Sequence, residues 1–244
     1  MKFVRTGSLI VIAILALSFV MMDWLVFYRC GAVEQCLVAG STYQNITKFA
    51  VTAIVTLVVF LIGKGGLSSR DRILLQVAFA LILCADFCMK ILPDSTLPGI
   101  GFFMAVQALF IVRHTRRNDD DNSFPRILYI PFAAGVLAAI LFLLGVFGGP
   151  TLPVVAAYGV FVTCSLIVAC KASRNGYFPA GNALQIKWGM ILFFCCDVCV
   201  GISGAVGADH SVQEIVATVA HNLVWVFYTP ALVLLGLSGY RQDS

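Results

Sequence analysis

The sequence predicts an all-α, polytopic membrane protein of eight transmembrane helices, arranged as two four-helix repeats about a pseudo-twofold axis along the membrane normal. Three observations carry that prediction. Of 244 residues, 60% are hydrophobic and 11% charged, and the mean hydropathy is +0.96. A water-soluble domain carries roughly a quarter charged residues, so this chain has too little polar surface to cover itself in water. Second, the apolar residues gather into eight runs of about the length, roughly 20 residues, that a helix needs to cross a bilayer. Third, one constellation occurs twice: "LILCADFCMK" (81–90) and "FFCCDVCVGI" (193–202) each set an aspartate in a C-x-D-x-C context within an apolar run.

Taken in order, the first span covers about 8–28. Lys2 and Arg5 before it resemble the head of a signal peptide, but "FVMMDWLVFY" prolongs the run to spanning length without a small-residue cleavage site, so the helix is expected to be retained. The second span, about 46–63, opens with Lys48; the third covers about 72–92 and the fourth about 98–113. The most polar stretch, "RHTRRNDDDNSFPR" (113–126), reads as a solvated cytoplasmic linker over about 114–126. Spans at about 127–148, 152–171, 187–206 and 213–238 follow, the last preceded by the capping-box pattern Ser211-Val212-Gln213-Glu214. The chain is thus one transmembrane domain, with repeats at about 1–113 and 127–244. Asp86 and Asp197 lie 111 positions apart, and Gln107 and His221 lie 114 apart. Four spans is an even number, so both halves share one orientation, an arrangement known among membrane folds.

Numbering the loops alternately places 13 of the 16 basic residues on one side, Arg113 and Arg116 among them; Arg29, Lys48 and Lys90 are the rest. Lys and Arg accumulate on the cytoplasmic side of short loops. Both termini are therefore expected in the cytoplasm, as an even number of spans requires, in a bacterial inner membrane or the endoplasmic reticulum. That distribution also excludes a nucleic-acid partner, despite a net charge of +4. Seven of the nine cysteines fall within spans, which excludes a disulfide framework. Cys30 and Cys36 share the first non-cytoplasmic loop and either pair or remain free thiols. The sequon Asn45-Ile46-Thr47 abuts the membrane and is expected to be unmodified.

An ionisable group within the hydrocarbon costs several kcal/mol unless it faces the bundle interior and finds partners, which makes it a functional candidate. Asp86 lies seven residues before Pro93, roughly 10 Å deep at about 1.5 Å per residue. Asp197, Gln107 and His221 lie at comparable depth from the same side, and Lys48 and Tyr158 begin their spans there. Six polar groups from six helices are thus expected to converge in the non-cytoplasmic half. Each also has a purely structural reading. The aspartates would bond across helices to hydroxyls or amides, His221 would be a satisfied core histidine, Lys48 would snorkel, and Tyr158 would be an interfacial aromatic. The aromatic-rich "NLVWVFY" reads as helix packing. Cys84 with Cys88, and Cys195 with Cys199, are i,i+4 pairs able in principle to present thiolates to zinc. Residues two apart differ by about 200° around a helix, so the cysteines point away from the aspartates. With the aspartates inward, the cysteines become packing and no metal is expected.

These residues resemble those of the YhhN-type membrane proteins, whose characterised members are lysoplasmalogenases. That family has about eight spans, a lysine opening the second, Gly-Asp in the third and Ser-Asp in the seventh. Its fourth span carries Phe-x-x-x-His-x-x-Tyr, its sixth a tyrosine and its eighth Ala-Gln. Here Thr47-Lys48-Phe49, Ala85-Asp86, Phe103 to Phe110, Tyr158, Cys196-Asp197 and Ala220-His221 stand in the matching places. The departures are Gln107 and Phe110 for the fourth-span His and Tyr, Cys196 for Ser, and His221 for Gln.

The resemblance implies hydrolysis of the vinyl-ether bond of a lysoplasmalogen, a lysophospholipid drawn from membrane lipid, to a fatty aldehyde and a glycerophospho product. No cofactor is called for. Opening a vinyl ether requires an acid to protonate the β-carbon and an anion to stabilise the oxocarbenium ion and activate water. Two carboxyls in an apolar site can divide these roles, and Asp86 and Asp197 are the expected catalytic pair. Gln107 and His221 would position water, Lys48 would meet the phosphate, and Tyr158 would line the site. The competing reading is a non-catalytic transporter or lipid-binding protein with an intramembrane polar cavity.

Overall fold

The computed structural model describes residues 2–30, 34–117, 125–146, 149, 151–205 and 211–241. Eight α-helices account for most of them: α1 (Lys2–Cys30), α2 (Glu34–Phe60), α3 (Ser69–Lys90), α4 (Thr96–His114), α5 (Tyr129–Leu143), α6 (Thr151–Lys171), α7 (Ala180–Ala205) and α8 (Ser211–Leu237). Among the described residues, these eight are long and apolar enough to cross a membrane. In hydrocarbon every backbone N–H and C=O must be satisfied within the segment, and the helix does this.

Helix ends extend beyond the hydrophobic runs where polar residues tolerate helix outside the bilayer. α2 begins at Glu34, so the sequon lies inside it, and the Thr47 hydroxyl donates to main-chain carbonyls of Tyr43 and Gln44. The side chains of Cys30, Cys36 and the capping-box residues, and most of the interrepeat linker, lie outside the described residues. α3 starts with a side-chain cap, the Asp71 N–H donating to Ser68 Oγ at 3.1 Å.

The most extensive packing is between α7 and α8, followed by α3 and α4; α4 also packs on α6 and α2 on α8. Gly189 sets the α7–α8 approach, because a Cβ there would lie 2.8 Å from Leu235 Cγ and 3.2 Å from the Leu235 main-chain nitrogen. Phe79, Phe110, Phe193, Met190 and Leu235 fill the interior, while α5 packs mainly on α6 and presents Phe132, Val136 and Leu143 outward. Such a face suits lipid, whose tails are as apolar as the side chains.

The end of the bundle where α3 begins and α8 finishes is clasped by a buried ion pair. Arg113 is not a solvated loop charge. Its side chain and that of Asp71 are both 0% exposed and meet at 2.9 Å, in a two-pronged contact completed by Nη2 to Oδ2 at 3.2 Å. The guanidinium also donates to Ser238 Oγ (2.9 Å) and to the Ser238 carbonyl (3.1 Å). Asn182 donates to the carbonyls of Ser238 and Tyr240, so α3, α4, α7 and the chain after α8 are tied at one point. Arg116 lies beside it, bonded to Ser68 and Tyr177 and stacked on the Tyr177 ring.

Candidate functional site

At the opposite end α3 turns Asp86 into the bundle, along the same stripe as Phe79 and Ile82. Its carboxylate accepts two hydroxyls at Oδ2: Thr52 of α2 at 2.6 Å and Tyr228 of α8 at 3.0 Å. Thr52 is one helical turn beyond Lys48 on α2, so both face the same way. Lys48 is itself buried and pairs with Asp23 of α1 at 3.0 Å. Asn222 of α8 donates to the Asp23 carbonyl at 3.4 Å. Trp225, one turn before Tyr228, packs edge-on against Phe19 and Tyr228 at 5.5 and 5.0 Å. The ammonium groups of Lys48 and Lys90 lie 5.8 and 5.9 Å from its ring centre, within the range of cation–π attraction.

The second carboxyl has its own partner. Tyr158 of α6 donates to Asp197 Oδ2 of α7 at 2.8 Å. The two carboxyls share no hydrogen-bond partner among the described residues; what links their surroundings is Phe103 of α4. Its ring lies 6.4 Å from Tyr158 and 6.4 Å from Tyr228, and 6.0 Å from Phe193. The phenols that hold Asp86 and Asp197 therefore flank one aromatic ring. One turn along α4, Gln107 is fully buried and approaches the Tyr158 hydroxyl. Yet neither its amide nitrogen nor its oxygen has a partner of hydrogen-bonding geometry among the described residues. Burying an unpaired amide costs about 1–3 kcal/mol, which marks this position as one where a ligand or water would be favourable.

Of the six residues expected to converge, five turn inward: Lys48 with Asp86 on the α2–α3–α8 side, and Tyr158, Asp197 and Gln107 on the α4–α6–α7 side. His221 is not turned into the bundle with them. Its ring is exposed at the edge of the cluster, within electrostatic reach of Lys48, Lys90 and Asp23, and the inward place on α8 belongs to its neighbour Asn222. Adjacent helical positions differ by about 100°, so an error of one residue turns a side chain out. The aspartate offset of 111, applied to Gln107, leads to Thr218, which is buried; the offset of 114 that suggested His221 overshoots by nearly a turn. Among the cysteines, Cys84 is exposed, Cys195 half-buried and Cys88 and Cys199 buried, all as free thiols.

Four participants escaped the sequence reading. Asp23 stands in "VMMDWLV" and carried the same signal as Asp86, an acid inside an apolar run. Thr52 was visible only as a hydroxyl one turn from Lys48. Tyr228 and Trp225 belong to the stretch taken as packing, and both do pack; their polar and π-face contacts depend on helix rotation, which composition does not report.

Fold and site together define a multi-pass helical membrane protein that holds two carboxyls in its interior on phenol hydroxyls. The chain belongs to the YhhN family, whose model matches residues 43–239. That span contains every site residue named here except Phe19 and Asp23. No curated protein and no solved structure matches the chain.

Proposed function

We propose that this protein hydrolyses the vinyl-ether bond of lysoplasmalogens, with Asp86 and Asp197 as its acid–base groups. The observation that supports this best is the pair of carboxyl–phenol units flanking Phe103, one buried and one part-buried, in a chain of the YhhN family. The separate partners of the two carboxyls favour a division of roles set by their environments. Asp86 accepts two donated hydroxyls and takes the part of the anion; Asp197 accepts one and takes the part of the acid. The Asp197 proton goes to the vinyl β-carbon, forming an oxocarbenium ion. The Asp86 carboxylate removes a proton from the water that adds to it, giving a hemiacetal. As the hemiacetal collapses, its hydroxyl proton returns to Asp197 and the proton on Asp86 goes to the departing glycerol oxygen. One water is consumed, aldehyde and alcohol form, and both carboxyls are reset. General acid–base assistance is typically worth 10²–10⁴-fold.

The same reading includes the repeat. The halves pack alike: α3 on α4 as α7 on α8, and α4 on α6 as α8 on α2. In each half the carboxyl accepts a hydroxyl from the preceding helix, Thr52 or Tyr158. This supports a pseudo-twofold relation, and the bias of Lys and Arg towards one set of loops favours both termini in the cytoplasm with the site at the other end.

The test is aldehyde release from lysoplasmalogen by purified protein, repeated with Asp86→Asn and Asp197→Asn. Each variant is expected to lose at least 100-fold; full activity in either removes that residue from the mechanism. The separate partners of the carboxyls also favour a second reading, a lipid-binding protein without catalysis, which predicts tight lipid binding and no aldehyde.

A further inference from the structure

Phe103 of α4 adjoins both carboxyl–phenol units. Its ring centre lies 6.4 Å from that of Tyr158, which holds Asp197, and 6.4 Å from that of Tyr228, which holds Asp86. The two phenols are within electrostatic reach of each other, and Cys196, beside Asp197 on α7, is within reach of both carboxyls. The units are therefore neighbours across this ring. Asp86 and Tyr228 are 3% and 4% exposed, whereas Phe103, Tyr158 and Asp197 are half-buried. The accessible part of the site is thus made by Phe103 with the Asp197 unit. The rings of Tyr158, Tyr228 and Phe193 are inclined to Phe103 at 49°, 79° and 75°, so none of the three is stacked parallel on it.

A bond acted on by both Asp197 and Asp86 lies between them, against Phe103. Protonating the vinyl β-carbon there places a positive charge on the ether oxygen and its α-carbon. The face of an aromatic ring attracts a cation within about 6 Å of its centre through the ring quadrupole. The neutral vinyl ether feels little of that attraction, and an interaction made only with the charged species speeds the step that forms it. We propose that Phe103 is a catalytic residue whose ring stabilises the oxocarbenium ion formed between Asp197 and Asp86. This rests on the hydrolytic reading of the site given above.

Two single-chain phospholipids without a vinyl ether test the assignment by equilibrium binding to the full chain in non-ionic detergent. One carries a saturated sn-1 alkyl ether; in the other a secondary ammonium replaces the ether oxygen and mimics the charge of the intermediate. Phe103 is replaced by 4-fluoro-, 3,5-difluoro- and 3,4,5-trifluorophenylalanine, which keep the ring and progressively weaken its quadrupole. The carboxylates attract the ammonium in every variant, so only the contribution of the ring changes. The preference for ammonium over ether is expected to fall stepwise, by about tenfold in all, while ether binding stays constant. A preference that does not change along the series, or an equal loss for both lipids, overturns the proposal. Aldehyde release is measured separately on the parent protein. Its absence beside a fluorine-dependent preference would overturn the hydrolytic reading and leave the cation seat at Phe103 standing; its presence beside a constant preference does the reverse.

Discussion

The Asp71–Arg113 pair permits a prediction whose size follows from its geometry. Both side chains are fully buried. Arg113 makes two bonds to the carboxylate and two to Ser238. Changing Asp71→Leu leaves a guanidinium without its counter-charge, and Arg113→Met leaves a carboxylate without its cation. Removing one partner of a buried pair costs about 3–5 kcal/mol, against a total stability of about 5–15 kcal/mol for a typical domain. The combined Asp71→Leu, Arg113→Met change removes both charges, while the Ser238 carbonyl keeps its 2.9 Å bond from Asn182. Replacing both members of a buried pair with apolar residues is often neutral or better. The double variant is therefore expected within about 2 kcal/mol of the parent, and the coupling energy to be several kcal/mol. Unfolding in mixed detergent micelles, followed by tryptophan fluorescence, measures all four corners of the cycle. Single variants that each cost less than about 1 kcal/mol, or a double variant as unstable as their sum, would refute the assignment of this contact as a desolvated, mutually dependent pair.

Two further outcomes follow from the same reasoning. Gln107→Met replaces an unpartnered buried amide with an apolar chain of similar volume and is expected to stabilise the fold by about 1–2 kcal/mol while lowering lysoplasmalogen turnover or affinity; a stability loss shows that the amide is satisfied in the folded protein. Gly189→Ala inserts a methyl group against the α8 backbone and is expected to destabilise by about 1–3 kcal/mol in the same unfolding assay, whereas a neutral result contradicts the close α7–α8 approach.

What the sequence determined by itself was the number of spans and the depth of the polar residues along each. Both follow from sums over neighbouring residues, since crossing hydrocarbon requires a sustained apolar run and a buried aspartate stands out against one. The inward turn of Asp86 and Asp197 was recoverable too, because an acid facing lipid is costly. Tertiary structure decided the rest through helix rotation and pairing. Asn222 rather than His221 faces Asp23, Arg113 withdraws from water to meet Asp71, and each carboxyl takes its own tyrosine. A helix rotated by one residue keeps its hydropathy almost unchanged but exchanges every neighbour, and only the packing of α8 against α1, α2 and α7 selects among those rotations.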